Sequence, residues 1–412
     1  MNSGRGTTTV FSAGAGGKHA ESNINSENMH AFYLWVLRDH RFLPPRMSTI
    51  GASPDSRLYA RPSLRQGQAQ LTLKIRMKHP SAAAVKDDIR ERLERRLGHL
   101  HVSQRLGIEI VHEAQVFGEG LNIFHIENLL FSPTLIEGVL RLSGLYWRGR
   151  RNAAKLRLRQ NEIVSHRVPK AFDGFRILHL SDLHTDMSQQ AMTRLLDLLP
   201  SLEYELCVLT GDYRGKSFGP FNQCLAGMAQ LREALNEPIY GVLGDHDTIR
   251  MVPDLEAMGI RMLLNECVVI ERGGHLIHLA GIDNAHFYRA DDIEKAADAI
   301  PHEDFSILLS HTPEIYRQAA GAGFDLLLSG HTHGGQICLP GGIPLTLDAT
   351  LPRSLGSGAW KYRDMAGYTS VGAGSSVVPV RFNCPPEITL HYLRSAGKGR
   401  NSIRPVSDFE RV

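Results

Sequence analysis

The chain has 412 residues, 42% hydrophobic and 22% charged, a soluble globular composition with room for one large domain and an appendage or for two domains. Its 46 Lys and Arg nearly cancel its 43 Asp and Glu, so a formal charge of +3 excludes bulk charge as a reason to bind nucleic acid. Five scattered cysteines without a CxxC pair exclude a disulfide framework and a structural zinc knot, so a reducing, cytoplasmic setting is expected.

Residues 1–76 are rich in Gly, Ser and Arg and carry no sustained apolar period, so they are expected to be disordered. Met77, ahead of Lys78-His79-Pro80 and a well-formed helical pattern, is a candidate start of translation, which would make the preceding residues a mis-assigned segment. No stretch reaches the ~18 uncharged apolar residues that span a bilayer. The short apolar run Ala31 to Leu37 lacks a signal-peptide cleavage site.

Residues 77–165 read as a helical region with a basic flank. Val85, Ile89, Leu93 and Leu97 recur at helical spacing between Ser81 and Leu100, with Gly98 as a stop, which predicts an amphipathic surface helix. A more apolar helix is expected over Phe124 to Trp147, where Pro133 suits a helix start. It leads into Arg148, Arg150, Arg151, Lys155, Arg157 and Arg159, with no acidic residue among them. Two readings stay open: a helix packed on the following domain with a solvated flank, or a peripheral segment at an anionic membrane surface.

From 166 to 395, short apolar runs alternate with helical stretches, and 396–412 is a tail. Strands are expected at Arg176–Leu180, Leu206–Leu209, Ile239–Leu243, Val268–Ile270, His275–Ala280, Ser306–Leu309 and Leu326–Leu328, and helices at Gln189–Leu199 and Phe221–Leu235. Gly273-Gly274 reads as a hairpin turn. This is the pattern of a layered α/β domain.

Five acidic and histidine-rich clusters follow apolar runs in that region: Asp182-Leu183-His184, Gly211-Asp212, Gly244-Asp245-His246-Asp247, His311 and Gly330-His331-Thr332-His333-Gly334-Gly335-Gln336. Each sits at the C-terminal mouth of an expected strand, where open α/β sheets build their sites. Two divalent ions a few ångström apart need several fixed ligands and a bridging oxygen donor. Asp182, His184 and His333 are assigned to one ion, Asp245, His311 and His331 to the other, and Asp212 to the bridge. Any one of these motifs is commonplace in a structural role. Their order and shared placement give the specificity. Asp and His ligands without cysteine suit manganese, iron or zinc.

These residues resemble the calcineurin-like metallophosphoesterase superfamily, whose pattern is DxH, GD, GNH(D/E), H and GHxH, over roughly Phe172 to Leu393. Leu178 to His184, Ser329 to Gln336, and Pro379 to Phe382 with Pro385 to Ile388 are most similar to the bacterial branch typified by YkuE and YaeI. The resemblance implies a four-layer αββα sandwich, here with an N-terminal helical extension, and hydrolysis of phosphomonoesters, phosphodiesters or pyrophosphate linkages. It implies attack by a hydroxide bridging two divalent ions, manganese first, with His246 assisting the leaving group. Thr185, Asp186, Tyr213, His286 and Arg381 are further candidates around the ligands.

Asp245 departs from the family's Asn. An ionised Asp still supplies a ligand oxygen but adds charge and removes an amide donor, which should favour monoanionic diesters over dianionic monoesters. A phosphodiesterase acting on a small-molecule or lipid-linked substrate is the first reading. A pyrophosphohydrolase of a nucleotide-linked lipid precursor is an alternative. A third, from another class, is a metal- and phosphate-binding scaffold with little turnover. Nucleic acid is not expected as a partner, because the basic run lacks interleaved aromatics.

Overall fold

A computed structural model describes residues 82–117, 132–397 and 402–408. The expectations for residues 1–76 and for Phe124 to Phe131 lie outside the described residues. Four helices come first: α1 (Ala82–Leu97), α2 (His99–Phe117), α3 (Ser132–Leu142) and α4 (Tyr146–Ala153). Strands β1 (Arg157–Ser165), β2 (Arg176–Leu180), β3 (Leu206–Leu209), β4 (Ile239–Gly241) and β5 (Ile260–Met262) follow, with α5 (Gln189–Leu198), α6 (Asn222–Glu233) and α7 (Val252–Ala257) between them. The next group is β6 (Glu266–Arg272), β7 (His275–Gly281), α8 (Ile293–Ala297), β8 (Ser306–Leu309), α9 (Tyr316–Gly321) and β9 (Leu326–Ser329). The chain ends in β10 (Cys338–Leu339), β11 (Ile343–Pro344), β12 (Gly358–Tyr362), β13 (Met365–Thr369), β14 (Glu387–Ser395) and β15 (Ser402–Asp408).

These strands form a seven-stranded sheet ordered β15-β1-β14-β2-β3-β4-β5, a six-stranded sheet ordered β12-β13-β9-β8-β7-β6, and the small hairpin β10-β11. β2 to β5 pair in parallel, as do β7, β8, β9 and β13, so their C-terminal ends share an edge within each sheet. Residues of the central strands alternate between two cores, which is why they are apolar on both faces. Ile177, Leu206 and Val208 point into the space between the sheets and meet Leu279, Ile307 and Leu328. Their neighbours Leu178, Leu180, Cys207 and Leu209 pack against α5, α6 and α7 through Leu195, Leu231 and Leu255. On the far side, Ala280, Leu308 and Leu327 meet Ala296, Tyr316 and Ala319 of α8 and α9. The result is the αββα sandwich that the motifs imply.

Local signals account for most elements. Ser188 caps α5 by accepting from the Ala191 amide at 3.3 Å, and Met192, Leu195 and Leu198 form its buried stripe. Gly273 and Gly274 both take positive φ between the antiparallel strands β6 and β7, the turn that the dipeptide predicts.

Three features differ from expectation. The apolar helix ending at Trp147 is broken: Gly144 at φ 71° separates α3 from α4, so the basic run begins inside α4 instead of following a single helix. A full helix, α2, occupies residues with no clear apolar period, because its inward face carries Arg105 and Glu109 beside Val102 and Leu106. The first sheet also extends past the borders expected at 166 and 395, since β1 inserts between β15 and β14.

The helical region is packed on the sandwich. Leu93 and Leu97 of α1 and Val102 and Leu106 of α2 join the core around α7, and Arg96 holds both oxygens of Glu266 at 2.5 and 2.8 Å. No described helix is long and apolar enough to cross a membrane.

Candidate metal centre

All seven ligand candidates lie beyond strand ends: Asp182 and His184 after β2, Asp212 after β3, Asp245 after β4, His311 after β8, and His331 and His333 after β9. Five of them, Asp182, His184, Asp212, His331 and His333, hold φ between 42° and 72°, a region that non-glycine residues occupy at a cost and mostly where a site dictates it. Glycines let these turns touch. A Cβ on Gly330 would fall 1.8 Å from Ser181 Oγ and 2.3 Å from Asp182 Oδ2, so the GH motif needs glycine for contact with the first carboxylate.

Two groups emerge with ligand atoms within 4.8 Å of one another: Asp182, His184, Asp212 and His333, then Asp245, His286 and His331. Asp212 Oδ2, of the first group, lies 3.9 Å from His184 Nε2, 3.4 Å from His311 Nε2 and 3.8 Å from His246 Nε2, and His311 itself falls in neither group. His331 Nδ1 lies 3.1 Å from Asp245 Oδ2, and its ring is 5.1 Å from that of His311. His286 is the unexpected member of the second group, its ring 4.4 Å from His331 and its Nδ1 2.5 Å from Glu314 Oε2.

Neighbouring groups orient the rings. His184 Nδ1 and His311 Nδ1 each sit 2.8 Å from a carbonyl oxygen, of Arg214 and Thr210, so each carries its proton there and turns the Nε2 lone pair into the site. Ser217 Oγ is 3.0 Å from His246 Nδ1, and the His246 amide donates to Asp212 Oδ1 at 3.0 Å. Asn284 donates from Nδ2 to Asp245 Oδ1 at 2.6 Å. Arg381, fully buried, places Nη2 3.2 Å from His333 Nδ1 while donating to the carbonyls of Val371 and Gly374 at 2.6 and 2.7 Å.

Charge in this pocket is unbalanced without a cation. Among the described residues, no Lys or Arg forms an ion pair with Asp182, Asp212 or Asp245. Burial pushes Asp212 and Asp245 up, but His311 and His246 outweigh it at Asp212, and His331, His311 and His286 do so at Asp245, leaving both well below the carboxylate range. Burial likewise pushes His331 down, yet Asp245 raises it to about 9. Burial raises Asp182, countered in part by His311 and reinforced by Asp212. His333 is held neutral by burial and then by His184 and Arg381, the form that ligates a metal. Protonated imidazoles thus stand where a cation belongs. His331 Nε2 makes no hydrogen bond, and His311 Nε2 faces Asp212 without an aligned one. The donor set fits divalent ions.

The remaining candidates divide. Tyr213 is core, its hydroxyl donating to Val242 O at 2.7 Å. Thr185 donates to the carbonyls of Tyr213 and Cys224, and Asp186 accepts from the Gly215 amide, so both brace the loop after β3. Residues missed from the sequence lie mostly around Asp245. Asp283 accepts from Arg105 Nε at 3.3 Å and pairs with His101 at 2.8 Å, both residues belonging to α2. Arg105 also donates to Asp247 O at 3.1 Å, and Glu109 accepts from Thr248 Oγ1 and the Ile249 amide at 2.6 and 2.8 Å. Gly281-Ile282-Asp283-Asn284 follows the apolar strand β7, the same signal that marks the five clusters, so Asn284 was findable. Arg105 was not.

The pattern of the calcineurin-like phosphoesterase family matches residues 175–335. A Bacillus subtilis relative, named uncharacterised metallophosphoesterase YkoQ, is 28% identical over 274 residues, covering 64% of this chain and 100% of the relative. YkuE of the same organism is 29% identical over 247 residues, covering 57% of this chain and 85% of its own. A Bos taurus relative, named transmembrane protein with metallophosphoesterase domain, is 30% identical over 257 residues. That match covers 57% of this chain and 56% of the relative, so the chain spans little more than half of that protein. Among solved structures, the NAD nucleotidase NadN of Haemophilus influenzae aligns with a TM-score of 0.33 at 16% identity, covering 48% of this chain and 50% of that one.

Proposed function

We propose, from the premise that this chain carries a calcineurin-like metallophosphoesterase domain, that it is a binuclear metal-dependent phosphoesterase that prefers phosphodiesters. The observation that carries this reading is Asp212 Oδ2, 3.9 Å from His184 Nε2 of the first group and 3.4 Å from His311 Nε2, whose ring lies 5.1 Å from His331 of the second, where one carboxylate could serve two cations. Divalent ions there, manganese being the first choice, supply a water nucleophile at neutral pH and neutralise the phosphoryl oxygens, so no protein nucleophile is required.

The chain's own residues do the rest. Asp182, His184 and His333, grouped with Asp212, would hold one cation and Asp245 and His331, grouped with His286, the other, with His311, 3.4 Å from Asp212 and beside the His331 ring, as a further ligand of the second. Ser217 Oγ lies 3.0 Å from His246 Nδ1, and in the tautomer in which Ser217 donates, the ring proton would sit on Nε2, where it could pass to the leaving oxygen; such help is worth roughly 10²–10⁴ in rate. Asp245 keeps a negative charge at the phosphate, disfavouring a dianionic monoester more than a monoanionic diester.

The test is hydrolysis of bis(p-nitrophenyl) phosphate and p-nitrophenyl phosphate by metal-stripped protein with Mn²⁺, Fe²⁺, Zn²⁺ or Mg²⁺ restored, beside Asp212→Ala. Metal-restored diester turnover that the variant loses by ~10³ or more is expected. Two bound ions per chain with no turnover of either compound would instead favour a binding scaffold. A second reading, cleavage of the pyrophosphate of a nucleotide-linked lipid, is favoured by the exposed Leu142 and Trp147 beside the domain, and stimulation by detergent micelles would support it.

A further inference from the structure

We infer that the elbow between α3 and α4 is a docking surface for an anionic lipid bilayer. The register of α4 is fixed from below. Tyr146, Gly149 and Ala153 face inward, and a Cβ on Gly149 would lie 2.7 Å from Val380 and 2.8 Å from Phe382, so the helix cannot rotate on its seat. That register sends Trp147, Arg148 and Arg151 outward. Trp147 is 61% exposed, Leu145 40%, and Leu142, at the tip of the elbow, 91%. These large apolar side chains would gain by leaving water, and the fold turns them into it.

Charge identifies the occupant. Some exposed arginines of the described surface sit against carboxylates, as in Arg95 with Glu91, and others, such as Arg194 and Arg317, form no ion pair among the described residues; the elbow differs in gathering its cations within ten residues. Arg148, Arg151, Lys155 and Arg157 are exposed too, yet none of them forms an ion pair among the described residues. Leucines and a tryptophan ringed by unpaired cations complement a surface that is apolar inside and anionic at its face, because Trp favours the headgroup level and each nearby cation adds attraction. A protein partner of matching chemistry would need acidic groups around an apolar cavity, whereas a bilayer offers both at any point on its surface.

The same elbow lies next to the metal centre. It packs through Ile136, Leu140 and Tyr146 on Val377 to Phe382, and Arg381 of that segment touches His333. The hairpin β10-β11 is joined to Phe382 by the Cys338 amide, and Leu339 and Ile343 within it and Leu345 just after it are exposed by about half. The inference does not depend on which phosphoester is cleaved.

The experiment is co-sedimentation of the full chain with vesicles of phosphatidylcholine containing about one third phosphatidylglycerol, against phosphatidylcholine alone. Binding to the anionic vesicles only, weakened by salt, is expected. Trp147→Ser with Leu142→Ser, and separately Arg148→Glu with Arg151→Glu, should each lower it by roughly tenfold or more. All four side chains are exposed and none belongs to the ligand set, so hydrolysis of bis(p-nitrophenyl) phosphate in solution should stay at the parent rate, which also reports that the variants fold. Equal binding to both vesicle types, no binding to either, or variants that bind like the parent would overturn the inference. So would a dimer in light scattering that the same substitutions dissolve while vesicles are ignored.

Discussion

Asp245 is the residue at which this site departs from the calcineurin-like pattern it resembles, and the structure shows what accommodates it. Its Oδ1 accepts a 2.6 Å hydrogen bond from Asn284 and its Oδ2 faces His331, so the extra charge is met on both sides. Asp245→Asn should therefore leave the fold intact and raise monoester relative to diester turnover by about tenfold, the size of removing one charge near the phosphate at moderate dielectric. An unchanged ratio of kcat/KM for the two p-nitrophenyl compounds would reject the charge explanation. A second residue, His179, is fully buried between the strands, its Nε2 2.9 Å from Thr210 Oγ1, and burial pushes its pKa down to about 3. The unfolded chain then binds a proton near pH 6.5 that the folded chain refuses. Stability is complete above that value and falls by ~1.4 kcal/mol per unit as pH drops toward 3. Denaturant unfolding of the metal-free protein across this range should give a shallower decline for His179→Gln than for the parent. The candidate residues that the fold gathers, Asp182, His184, Asp212 and His333 in one group and Asp245 and His331 in another, were readable because Asp and His side chains carry metal-binding chemistry wherever they stand. Their left-handed backbones, as at Asp212 with φ 55°, were not, since nothing in the residue type demands that conformation.

Elements were legible to the extent that one period governed them. β2, β3, β8 and β9 fall where short apolar runs place them, and α5 where a cap precedes an apolar stripe. α2 escaped because a helix that buries Arg105 and Glu109 shows no apolar stripe to count. Its arginine reaches Glu109 at 2.8 Å, Asp283 at 3.3 Å and the ring of Tyr288 at 3.3 Å from its centroid. Removing the cation strands two buried carboxylates, so Arg105→Met should cost about 3–5 kcal/mol in chemical unfolding. The double variant Arg105→Met with Asp283→Asn should recover part of that loss. If the single change costs less than ~1 kcal/mol, the ion pairs are not what seats the helix.

At the scale of the whole molecule, the two-sheet sandwich follows from strands apolar on both faces, which must be covered on both faces. The order of strands does not. β14 enters the first sheet between β1 and β2, joining chain ends more than two hundred residues apart, and such pairing leaves no local trace. β1 and β15 lie outside the residues that match the family pattern, although both belong to the sheet whose strand ends carry Asp182, His184, Asp212 and Asp245.

If Asp245 holds a cation as proposed, the chain of contacts from Arg105 through Asp283 and Asn284 to Asp245 makes α2 and that cation partners in a single equilibrium. Reciprocity requires that whatever steadies one steadies the other by the same free energy. Manganese added to the metal-free protein should therefore slow backbone amide exchange in α2, a helix that supplies none of the ligands, and by more than in α9, which lies across the sandwich. Exchange in α2 indifferent to manganese would show the two to be independent. Linked as the contacts imply, the helix would be a gauge of metal occupancy, and a pull on the segment that precedes it would be felt as a change in how tightly the site keeps a metal.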